Sequence, residues 1–221
     1  MSEVIITVRG SDEARVAPER AVAHISAAVD GPQRGGVVER IAALAAPVRE
    51  DLAARKAAGT IEDWSAERVS IWSDRPWNNE GHQLDLVHHA SVDIIATFAD
   101  FVALSDWLNG IATQEGLHIG AVNWQLTPDT RARTERAVAT AAVAVAVERA
   151  TSYAAAIDCT TVTPLEIADL GLLTQGQETA PSPRMFARTA ISMDVGAAPA
   201  IDFHPEEIVI TAAVEARFAA S

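Results

Sequence analysis

Apolar residues recur along this chain with two different periods, and the switches between them mark out its elements. Residues 3–9 alternate weakly up to Gly10, and residues 14–17 and 20–30 read as further extended chain. Pro18 between them predicts a turn or bulge, because proline cannot donate to a ladder. Gly31-Pro32 and Gly35-Gly36 then break the pattern. From 37 to 58 the step changes to three and four, and Val37, Ile41, Leu44, Val48 and Leu52 form one helical stripe that Gly59 stops. Pro47, in mid-stripe, predicts a kink or a split into two helices. Residues 67–75 and 83–96 read as the strands of a hairpin. In the second, Leu84, Leu86, Ala90, Val92 and Ile94 face one way, and Gln83, Asp85, His89, Ser91 and Asp93 the other. That alternation predicts a sheet with one face on a core and one face in water.

Thr97-Phe98-Ala99-Asp100 has the Thr-x-x-acid spacing of a capping box. It predicts a helix from 98 to about 115 with Phe98, Phe101, Val102, Leu108 and Ile111 as its stripe, ended by Gly116. Residues 117–126 read as extended. Thr127 as N-cap, Pro128 at the first helical position and Asp129 near the positive end of the dipole open the longest helix, about 128–157. Residues 161–173 look extended, 175–199 are rich in Pro, Gly, Ser and Ala and read as a long loop, and 207–218 alternate again. Hairpins and one-sided strands interspersed with helices predict an α+β fold. We expect an antiparallel or mixed β-sheet with helices packed on one face and one long Ala-rich helix. The whole chain, 1–221, reads as a single domain, with two lobes, about 1–97 and 98–221, as the alternative.

Seventeen basic and 30 acidic residues give a net charge of −13. Such a surface repels phosphate backbones and anionic lipid, so neither nucleic acid nor a membrane surface is expected as a partner. The most apolar stretch, 137–147, lies between Glu135-Arg136 and Glu148-Arg149. As helix it would span about 16 Å, about half a bilayer core, which predicts no membrane insertion. It is apolar all round, so we expect it to be covered on every side, and its small Ala and Val side chains favour a second copy of the chain: a homo-oligomer. The first residues carry no basic segment followed by an apolar run and a small-residue cleavage site, which predicts a cytoplasmic location.

No GxSxG, HExxH, Walker or GxGxxG motif is present, so we expect no catalytic residues, no cofactor and no enzyme activity. Cys159 is the sole cysteine and reads as a small buried hydrophobe; Lys56 is the sole lysine. His82, His88 and His89 cluster in sequence. Neighbours on a strand point to opposite faces, and Asp85 and His89 share a face but lie about 13 Å apart, so no metal site is expected. His88 falls on the apolar face, as a hydrogen-bonded core histidine. Trp64, Trp72 and Trp77 crowd the first half of the hairpin, where packing, subunit contact and ligand stacking compete as readings. The candidate binding residues are Trp72, Trp77 and His89.

The segment from Val4 to Ser11, leading into Ala14 to Ala21 through Pro18, resembles the opening of SIMPL-domain proteins: a strand with a Gly-Ser turn, then a short proline-centred segment. Ala90 to Ile94 is similar to that family's central strand, Leu117 to Asp129 to its strand entering the long helix, and Arg133 to Ala156 to the Ala-rich helix. Ala180 to Met185 and Glu207 to Phe218 resemble its tail. The resemblance implies an α+β fold, no agreed enzymatic activity and no catalytic residues to carry over. It also implies assembly, since at least one relative forms a large ring-like homo-oligomer, and bacterial members are linked to the envelope and to oxidative-stress defence. This sequence departs from the family in lacking the usual leader and in its tryptophan-rich segment 64–82. The expected function is that of a non-enzymatic, self-associating protein with a stress-related or scaffolding role. The alternative is a small-molecule or peptide-binding module using the wet sheet face and the Trp77 loop.

Overall fold

The structure, a computed structural model, describes residues 3–173 and 203–221. The elements run β1 (Val4–Val16), β2 (Arg20–Gly31), α1 (Arg34–Ala57), β3 (Asp63–Asp74), β4 (Val87–Phe98), α2 (Phe101–Ile111), β5 (Leu117–Gln125), α3 (Pro128–Ala155), β6 (Val162–Asp169) and β7 (Ile208–Ala220). They form two units, each an antiparallel sheet with helix on one face, so the fold is α+β. A lobe boundary near residue 97 would fall inside β4. The stretch read as a loop, 175–199, lies outside the described residues.

The first unit holds β1, α3, β6 and β7, with strand order β1-β7-β6. β1 does not stop at Gly10 but pairs with β7 without a break from Val4↔Ala220 to Val16↔Ile208. The glycine marks a close approach, not an end: a Cβ there would stand 2.0 Å from the carbonyl oxygen of Ala142 and 2.6 Å from the amide nitrogen of Ala146. α3 opens as expected, with the Thr127 hydroxyl accepting from the Thr130 amide at 3.3 Å. It buries one stripe, Val138, Ala142, Ala146, Ala150 and Ala154, at four-residue steps. The alanines pack on Ile6, Val8, Val214, Ala216 and Phe218. Coverage on every side is not observed in the single chain, where Ala137, Ala139, Ala144 and Val147 stay exposed. An exposed alanine methyl carries little apolar area, so this face costs little to leave open.

The second unit holds β2, α1, β3, β4, α2 and β5, with strand order β3-β4-β2-β5. Its core gathers Ile25, Ile94 and Phe98 of the sheet with Val37, Ile41 and Leu52 of α1 and Leu104, Trp107 and Leu108 of α2. α1 runs unbroken through Pro47. The proline is exposed, so water can serve the carbonyl it leaves unpaired, while the buried stripe holds the helix on the sheet. Ala45 takes the fully buried place expected of Leu44. α2 starts later than its sequence suggested. Thr97 and Phe98 complete β4, and the cap is Asp100, whose carboxylate accepts from the amides of Val102 at 2.9 Å and Ala103 at 3.2 Å. Phe98 is therefore buried from a strand, and Val102, expected in the stripe, is 70% exposed. β4 begins only at Val87, so Leu84 and Leu86 lie before it and are exposed. Among the described residues no helix is long and apolar enough to cross a membrane.

Candidate functional site

The helices dry one face of the second unit's sheet, and the other face carries its polar chemistry. β2 supplies that face by simple alternation: Ala21, Ala23, Ile25 and Ala27 are buried, and His24 and Ser26 turn the other way. β3 reaches it through a bulge. Ser65 pairs with Ile95, but the next regular pair is Arg68 with Asp93, so two residues stand against Ile94. The extra residue reverses the alternation. Trp64 packs against the core, whereas Arg68, Ser70, Trp72 and Asp74 emerge on the wet face. Without the bulge Trp72 would share the face of Trp64, since their separation is even.

Trp72 then sits directly opposite His89 in the register. The rings stack with centroids 5.1 Å apart and an interplanar angle of 15°. The Nε2 atom of His89 is also 3.1 Å from the Asp74 carboxylate. His88 points to the opposite face and bonds the Ser73 hydroxyl through Nδ1 at 2.6 Å. It is hydrogen-bonded as expected but only half-buried, because it lies beyond Ala90, the last buried residue at that end of β4. Trp77 stays in the loop after β3, where it forms an isolated bridge with Gln83 and is 67% exposed. Asn78 braces that loop by accepting from the amides of Glu80 and His82. Of the three candidate residues, Trp72 and His89 are thus in contact, and among the described residues no ring contact joins Trp77 to either.

Further along the same face, register lines up Arg68, Asp93, Ser26 and His118 across all four strands. One step on, the Asn123 amide donates to the Nε2 atom of His24 at 3.0 Å. His24, Ser26, Ser65, Arg68, Asp93 and Gly120 line an open, shallow depression there. Ser26, Asp93 and His118 are the residue types of a nucleophile, an acid and a base, yet no hydrogen bond links them among the described residues. Neighbouring strands hold these side chains side by side on the wet face. Among the described residues no group of three His, Cys, Asp or Glu is placed to hold a metal ion. At the start of β3 the ammonium of Lys56, 2.5 Å away, holds the Asp63 carboxyl below the ordinary carboxylate range.

The SIMPL family's sequence model, described as "protein of unknown function (DUF541)", matches residues 6–218, nearly the whole chain. The chain belongs to the SIMPL family. No curated protein matches it. The match runs through both units, so the close-packed α3 layer and the open polar sheet are both parts of one SIMPL chain. The sequence singles out Trp72 and His89 in this SIMPL protein but not Asp74, which lies against His89. The alternation of β2 was a usable signal for His24 and Ser26; the bulge that turns Arg68 and Asp74 outward left no mark in the periodicity.

Proposed function

We propose that this SIMPL protein is a non-enzymatic scaffold that works by associating with itself. The observation that carries the proposal is the apolar surface left open on β3 and the loop that follows it. Val69 is 59% exposed, and Ile71, Trp72, Trp77, Leu84 and Leu86 are exposed with it. Exposed apolar groups gathered in one region of a surface mark contact with another molecule. The wet sheet face supports the non-enzymatic part, because His24 and His89 there are engaged with Asn123 and Asp74 and not with a hydroxyl or thiol. Sedimentation of the purified full chain tests this: assembly beyond the monomer at high micromolar concentration supports it, and a strict monomer ends it. The stress-related role implied by the family resemblance belongs to the same proposal. It is tested by whether cells lacking the protein lose viability under peroxide.

A second reading is a binding module, favoured by the stacked Trp72–His89 pair on the same sheet face as the depression around Arg68 and His24. A ligand there would change tryptophan fluorescence in the wild type and not in Trp72→Phe.

A further inference from the structure

β3 is an edge strand. From Arg68 to Asp74 it pairs with β4 without irregularity, and among the described residues no strand lies beside its other row of backbone groups. Such edges are ordinarily blunted by proline, lysine or a bulge. Here the bulge sits further back, between Ser65 and Arg68, and the segment 68–74 contains neither proline nor lysine. Among the described residues no carboxylate lies within ion-pair distance of Arg68, although Asp93 is its register partner. Asp74 is engaged by His89.

We infer that this edge is closed by the same edge of a second copy, antiparallel, about a two-fold axis through Ser70. The inference rests on the self-association proposed above and names its surface. In that register Val69 faces the partner's Ile71, Arg68 faces the partner's Trp72, and Ser70 faces its own equivalent. Each contact is made twice, as a two-fold requires. Val69 and Ile71 lie on one face of the strand and cover each other as a β-branched cross-strand pair. Arg68 and Trp72 lie on the other face and bring a guanidinium onto an exposed indole. A second copy fits better than an unrelated strand because this one segment supplies both members of each pair. A shift of the axis to Ile71 would set Arg68 against the partner's Asp74, already held by a histidine, and Val69 against a serine.

The test uses the full chain and three variants. Val69→Lys places a charge on an exposed edge position, and its mass by sedimentation should fall to half the wild-type value with circular dichroism unchanged. Ser70→Cys in a Cys159→Ala background should form a disulfide-linked dimer on mild oxidation. Residues facing each other across an antiparallel pair stand about 4.5–5.5 Å apart, within the reach of the bond. Ile71→Cys in the same background should not cross-link. If the wild type assembles but Val69→Lys keeps its mass, or Ser70→Cys fails to cross-link, the edge is not the interface, although self-association stands. A wild type that stays monomeric overturns both.

Discussion

α3 meets its sheet through alanines: Ala142, Ala146, Ala150 and Ala154. α1 and α2 meet theirs through Val37, Ile41, Leu52, Leu104, Trp107 and Leu108. The first layer brings two backbones close enough that only hydrogen fits at position 10. The second keeps them apart and fills the space with branched and aromatic side chains, such as Phe98 against Trp107 at 5.3 Å. Both faces are dry, but close approach stabilises one and side-chain volume the other. The first unit should therefore be sensitive to added atoms and the second to deleted ones.

The largest break in that contrast should come from Phe98→Ala, which empties a fully buried site and should cost about 3–5 kcal/mol in urea unfolding. Hydrogen exchange should place the loss in the second unit. Gly10→Ala adds one methyl group and should cost about 1–3 kcal/mol or more, felt as faster exchange in α3 and β7, because the obstacle is backbone and cannot swing aside. The same methyl added at exposed Gly110, inside α2, meets nothing and should be neutral or stabilising. Asp100→Ala removes a cap with two amide bonds and should cost about 1 kcal/mol, confined to α2. The smallest effect belongs to Lys56 and Asp63. The carboxyl is held below its ordinary range, so the pair's contribution is complete above the unfolded carboxylate pKa and disappears as pH falls through the lowered value. Thermal midpoints of the wild type and Lys56→Ala should therefore converge in acid and, because the pair is exposed, in high salt.

Local signals were legible where one residue type suffices. Thr127-Pro128 marked the start of α3, and the alternation of β4 named its wet face. Signals failed where the deciding partner is distant in sequence. Gly10 reads as a strand end until Ala142 is known to lie over it. Thr97 and Asp100 both suit a cap, and β2 and β3, which flank β4, claim Thr97 for the sheet. Pro47 reads as a break, yet the stripe on the other side of the helix outweighs it. In the candidate site Trp72 and His89 were visible as types, but their contact depends on the bulge at Ile94, which no period records.

In the first unit the central strand is β7, flanked by β1 and β6. β1 finds its register only against Ile208–Ala220, at the far end of the described chain. All the described strands of the other sheet have been translated by Gln125. During synthesis that sheet can form first, while β1 and the alanine helix wait without a template, their apolar sides open to chaperones, for the last strand to emerge.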